Sequence, residues 1–211
     1  PNFHIIGTMN TADRSIALMD VALRRRFTFE ELMPDAGIIA QVLEKSVKHR
    51  PLIDMVKDVF NTINKRLCFL YDRDHQLGHA YFLGIRSLQD LRKVLIDRVI
   101  PLLKEYFYDS WDKICMVLGC PYSDDSKALR NGECLKDGNY IAPIIEARVF
   151  EEFLTLGFDH SDYENRVEYT VSEKFINSVN SEDLLAFFLG ILPDEKRNNY
   201  LKEFEAIFEE E

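Results

Sequence analysis

The chain has 211 residues, 46% of them hydrophobic and 29% charged, with a net charge of −10 at pH 7. That length holds one sizeable domain or two small ones, and the composition is that of a globular protein rather than a disordered or fibrous one. No apolar run approaches the ~18 residues that span a membrane and there is no signal-peptide pattern, which predicts a soluble, cytoplasmic protein with no membrane partner.

The charge is unevenly placed. Residues 1–120 carry 17 Lys and Arg against 15 Asp and Glu, whereas residues 121–211 carry 9 against 21. Gripping nucleic acid requires Lys and Arg on the phosphates, so the acidic second half is better suited to a protein partner or to a plain solvated surface. The four cysteines (Cys68, Cys115, Cys120, Cys134) form no C-x-x-C pair and the five histidines form no H-E-x-x-H motif. Reduced thiols and no zinc site are expected.

In chain order, Phe3 to Met9 (FHIIGTM) is apolar on both faces, the pattern of a central parallel strand. Its partners are not obvious nearby. With Pro1 standing where a natural start would carry Met, the chain is expected to be a piece of a longer protein. Asn10 to Asp13 is a polar turn, and Asp13 or Ser15 can cap a helix whose apolar stripe is Ile16, Met19, Ala22 and Leu23. Arg24, Arg25 and Arg26 close that helix. One or two cations there complement the helix dipole, but three in a row repel one another and call for an anion such as phosphate.

Thr28 to Met33 reads as a second short strand ended by Pro34, and Asp35 as the cap of a helix over Gly37 to Lys48. Pro51 suits the first turn of a helix that keeps its spacing to Tyr71. A polar loop, Asp72 to Gln76, precedes the aromatic stretch LGHAYFLG. Ser87 and Asp90 resemble a capping box for a helix to about Tyr108, with Pro101 as a kink or break. Trp111 to Leu118 is a short helix stopped by Gly119. Residues 120–140 read as an inserted loop, Tyr140 to Ile145 and Arg166 to Val171 as strands, and Phe175 to Leu192 and Asp194 to Phe208 as amphipathic helices.

The string MNTADRS followed by ALRRRF resembles the second half of an AAA+ nucleotide-hydrolysing module, and more closely the McrB family. LGHAYF (Leu77 to Phe82) and IPLLKEYFYD (Ile100 to Asp109) add to the resemblance. That family's members are GTP-hydrolysing motors of modification-dependent DNA restriction systems.

The resemblance implies a mainly α fold with a small α/β remnant. Residues 1–35 would be the end of an AAA+ core, 36–119 a helical lid and 120–211 an acidic α+β extension. Asn10 matches the sensor 1 asparagine, which positions water or a γ-phosphate oxygen. Arg25 and Arg26 match an arginine-finger pair acting on a neighbouring subunit's nucleotide, with Arg24 beside them. Asp13 completes the NTAD signature, or is a plain helix cap. Gly78 and His79 lie where the lid approaches the nucleotide, or His79 is structural. The implied ligands are GTP (or ATP) with Mg²⁺. The implied partners are copies of the chain in a ring, a nuclease subunit of McrC type, and DNA through an upstream domain.

There is no G-x-x-x-x-G-K-[ST] loop and no apolar strand ending in Asp-Glu for Mg²⁺, so the fragment by itself is expected to be inactive. Two other readings stay open at this point: an AAA+ ATPase of chaperone or remodelling type, and a non-catalytic helical interaction domain whose arginines bind an acidic protein surface.

Overall fold

Asp35 begins the helical body. Its carboxylate accepts a 2.6 Å hydrogen bond from the Gly37 N–H and so caps α1 (Ala36–Leu43). The computed structural model describes residues 2–9, 22, 25–108, 110–119, 134–136, 139–149 and 167–210. After α1 comes α2 (Arg50–Leu70), with Pro51 in its first turn, where a missing N–H costs nothing. A 3₁₀ turn (His79–Phe82) leads to α3 (Leu88–Val94). The Ser87 hydroxyl accepts from the Asp90 N–H at 3.2 Å, and the Asp90 carboxylate accepts in return from the Ser87 hydroxyl and the Arg86 N–H.

Pro101 does not break the helix that α3 begins. One π turn (Leu95–Val99) precedes α4 (Ile100–Tyr106), and the Ile100 N–H reaches the Leu95 carbonyl, one residue further than an α bond. The wider turn accommodates the proline ring and its missing donor while the helical run continues. Helix α5 (Trp111–Leu118) ends at Gly119, which is left-handed with φ 76°.

Two antiparallel strand pairs follow, β1 (Cys134–Lys136) with β2 (Asn139–Ile141), and β3 (Ile145–Val149) with β4 (Val167–Val171). The chain closes with α6 (Glu173–Asn177), α7 (Ser181–Ile191) and α8 (Asp194–Glu210). The architecture is mainly helical, as the sequence implies. The predicted helix over Phe175 to Leu192 is divided, because the Asn180 side chain accepts from the Glu182 N–H at 3.0 Å and starts α7 afresh. Nor is α7 amphipathic: Leu184 through Ile191 are all buried, the pattern of a helix enclosed on every side.

The two predicted N-terminal strands are not formed. Residues 2–9 and 28–35 have no regular secondary structure, and Phe3 and Ile6 are 82% and 94% exposed. A strand that is apolar on both faces holds only between paired neighbours under covering helices. No described residue supplies either to Phe3–Met9.

One buried cluster runs from Ile39 of α1 to Phe204 of α8 and includes Phe60, Phe82, Phe175 and Phe188. Each such side chain contributes about 1.5–3 kcal/mol relative to exposure. Arginines tie the helix ends. Arg92 of α3 donates to the carbonyls of Ile176 and Ser178 at the end of α6. Arg197 donates to the Leu189 and Leu192 carbonyls at the end of α7.

Asp58 of α2 fastens α8 by accepting from Lys196 Nζ (2.6 Å) and the Tyr200 hydroxyl (2.7 Å). Burial, with Asp58 adding to it, pushes the Tyr200 phenol above its ordinary range. A phenol that stays protonated in the folded state adds stability that is complete below the unfolded value near 10 and is lost as pH rises through the folded one. Tyr200→Phe is therefore expected to cost about 1 kcal/mol at neutral pH and to flatten part of the alkaline fall in stability, as read by urea unfolding between pH 8 and 11.

Candidate functional site

The turn that follows α2 is held from below and open above. Asn64, buried on α2, clamps the main chain of Leu77 in both directions: its amide nitrogen donates to the Leu77 carbonyl (3.1 Å) and its amide oxygen accepts from the Leu77 N–H (2.7 Å). Leu77, Phe82 and Ile85 are fully buried, and Phe82 meets Phe60 edge-on with ring centroids 5.3 Å apart. Between these anchors Gly78 and His79 are half-buried and Ala80 and Tyr81 are exposed, Tyr81 at 43%. Gly78 has an ordinary φ of −68°, and a Cβ there would meet nothing within 4 Å. Neither conformation nor packing requires glycine at this position, so the space over it is free.

The loop leading into the turn has its own lock. Asp72 Oδ1 accepts from the N–H groups of Asp74 (2.9 Å) and His75 (3.0 Å) and lies 2.5 Å from His75 Nδ1. His75 is buried, edge-on to Tyr71 and Tyr106, which stack on each other. Burial alone would raise the Asp72 carboxyl, but hydrogen bonds and charge from His75 outweigh it and hold the group below the usual carboxylate range. His75 and His79 stand four residues apart without sharing a face. His75 turns inward to Asp72, whereas Nδ1 of His79 accepts from the Asp35 N–H at 3.3 Å. Among the described residues no group of three or more His, Cys, Asp or Glu can hold a metal ion.

The segment before α1 lies against this loop at two points. Asp35 meets His79, and Glu31 pairs with Arg73 at 2.5 Å, both of them solvent-exposed. This surface pair is worth little in stability. Arg25 and Arg26 are exposed in a turn and pair with no carboxylate among the described residues. No described hydrogen bond or ion pair joins them to the His79 turn. Asn10, Asp13 and Arg24 lie outside the described residues.

Of the predicted site residues, the structure therefore places Gly78 and His79 on an open turn and leaves Arg25 and Arg26 exposed, with no paired carboxylate among the described residues. Sequence reasoning missed Asn64, the Asp72–His75 pair and Asp35 as a partner of His79. Only Asp35 carried a local signal, as a helix cap.

A sequence model of the family described as "McrB, alpha-helical lid domain" matches residues 55–115, which run from α2 into α5 and contain the whole turn. The chain is also 33% identical over 119 residues to the "Type IV methyl-directed restriction enzyme EcoKMcrB subunit" of Escherichia coli (strain K12). That alignment takes in 51% of this chain and 26% of the relative, so the chain spans about a quarter of the length of the curated protein it matches. Among the described residues no helix is long and apolar enough to cross a membrane. Residues 55–115 thus match an McrB-type alpha-helical lid, and the chain that carries them is McrB-like.

Proposed function

We propose that this chain supplies the sensor, arginine-finger and lid parts of a ring-forming, GTP-hydrolysing AAA+ motor of McrB type, which drives DNA restriction with a nuclease partner of McrC type. The observation that carries this reading is the lid match over residues 55–115, with the open Gly78–His79 turn inside it. The printed name of the relative, a methyl-directed restriction enzyme subunit, favours a restriction motor over a remodelling ATPase.

The residues present fit a nucleotide. His79 offers a half-buried ring with one nitrogen unbonded, and Arg25 and Arg26 offer exposed guanidinium forks with no paired carboxylate among the described residues. Mg²⁺, when bound, neutralises charge on the β- and γ-phosphates, and its ligands would come from sequence outside the described residues. The part played by this chain is to position and to neutralise: the Asn10 amide orients the attacking water, and the arginines reach a phosphate held by the adjacent subunit.

The test uses a longer protein in which this chain follows a phosphate-binding loop. GTP should be hydrolysed in preference to ATP, and Asn10→Ala should abolish hydrolysis while nucleotide affinity stays within a few-fold. A wild-type protein that neither binds nor hydrolyses either nucleotide would rule the proposal out.

A further inference from the structure

The 3.3 Å contact between the Asp35 N–H and His79 Nδ1 has a definite polarity. A main-chain N–H can only donate, so Nδ1 is the bare, accepting nitrogen, and in a neutral imidazole the single proton then sits on Nε2. Nε2 has no hydrogen-bond partner among the described residues, and His79 is only half-buried. The ring's seat is held on both sides. The Asn64 clamp fixes Leu77 two residues before it, buried Phe82 anchors the turn three residues after it, and Asp35 is itself fixed as the cap of α1.

We infer that His79 is a one-sided hydrogen-bond donor to the bound nucleotide, with Asp35 as the positioning residue that decides which ring nitrogen carries the proton. This rests on the nucleotide-binding reading above and adds to it the chemistry of the atom that is met. That atom is an acceptor, either a phosphate or ribose oxygen, or the O6 edge of guanine. Where guanine presents O6, adenine presents an amino group, and a fixed donor facing it would set donor against donor. The same bond links the nucleotide contact to the segment between the arginines and α1, because losing it frees the Asp35 N–H.

Two measurements test this. In the chain alone, ¹⁵N spectra of the His79 ring in its neutral form should show the proton on Nε2; a proton on Nδ1 overturns the inference. In the longer protein, His79→Phe should weaken nucleotide binding by about 3- to 10-fold, and His79→Gln, whose amide can donate from a similar position, should restore most of it. A loss confined to GTP identifies the guanine edge, whereas an equal loss for GTP and ATP identifies a phosphate or ribose oxygen. Binding of both nucleotides within two-fold of wild type in His79→Phe overturns the inference and leaves the proposed function standing. Failure of the wild-type protein to bind either nucleotide removes the proposed function, and this inference with it.

Discussion

Replacing Arg25 or Arg26 by alanine, in a protein that joins this chain to a phosphate-binding half, is expected to slow nucleotide turnover by roughly 10³-fold or more while leaving nucleotide affinity within a few-fold. The expectation starts from electrostatics. Two adjacent guanidinium groups repel each other, both are exposed, and no described carboxylate neutralises either one. As a mere solvated helix end they would contribute at most a few tenths of a kcal/mol through the helix dipole, and removing them would leave any rate unchanged. As fingers they meet charge that develops on the γ-phosphate only in the transition state, so their loss appears in turnover and not in binding. Lysine should not rescue, because a point charge cannot reproduce the bidentate fork. Mixing separates action across a subunit boundary from action within one chain. Subunits bearing Arg25→Ala and Arg26→Ala keep Asn10, and subunits bearing Asn10→Ala keep their fingers. Each should be inactive alone, and a mixture should regain turnover where a complete neighbour pair forms. Turnover within a few-fold of wild type for both single variants and for the pair would remove the finger role. Activity lost alone but not regained on mixing would place the arginines in their own subunit's site.

The parts of the fold that were legible in the sequence are those whose signal is local. Asp35, Pro51, Ser87 with Asp90, and Gly119 each mark a helix end through chemistry within three or four residues, and each stands at the end it predicted. The parts that were not legible depend on residues far apart in the chain. Asn64 is one polar residue within an apolar helical stripe, and nothing in the spacing shows that its amide will clamp Leu77 thirteen residues on. The same holds for Asp58, which meets Tyr200 across 142 positions. Phe3–Met9 failed for a related reason. Its apolar pattern states what the segment would do inside a sheet, while pairing itself must come from other strands, and the described residues offer none. Pro101 shows the reverse case. Its effect on the backbone was foreseeable, but the π turn was not, and Leu95, Val99, Ile100 and Leu103 all remain buried across it. At the candidate site, His79 was singled out by its resemblance to the lid motif. Its hydrogen-bond polarity was not, since that belongs to a residue 44 positions earlier.

Gly119→Ala is expected to destabilise the protein by about 3–5 kcal/mol, at the upper end of single-substitution effects. Two costs combine there. Gly119 closes α5 in the left-handed region at φ 76°, which an L side chain enters at about 1–2 kcal/mol. The larger cost is steric. A Cβ at Gly119 would stand 2.2 Å from the Gly190 carbonyl oxygen and 3.0 Å from the Ile191 Cα, both main-chain atoms of α7. A flexible side chain could move aside, but α7 is buried from Leu184 to Ile191 and its terminal carbonyls are held by Arg197, so the helices must separate. Parting α5 from α7 would also strain the bond from Arg66 of α2 to the Val117 carbonyl (2.9 Å), and would carry the disturbance into the lid body. Against a total margin of about 5–15 kcal/mol, a loss of this size lowers the unfolding midpoint sharply or prevents recovery of folded protein. Two further variants make the result interpretable. Asparagine tolerates the left-handed region, so Gly119→Asn would be mild if φ alone mattered; it is expected to be as damaging as alanine because it brings the same Cβ. Gly84→Ala, where a Cβ meets nothing within 4 Å, should shift stability by no more than about 0.5 kcal/mol. A Gly119→Ala protein whose urea midpoint matches that of Gly84→Ala would show that α5 and α7 do not meet at this glycine.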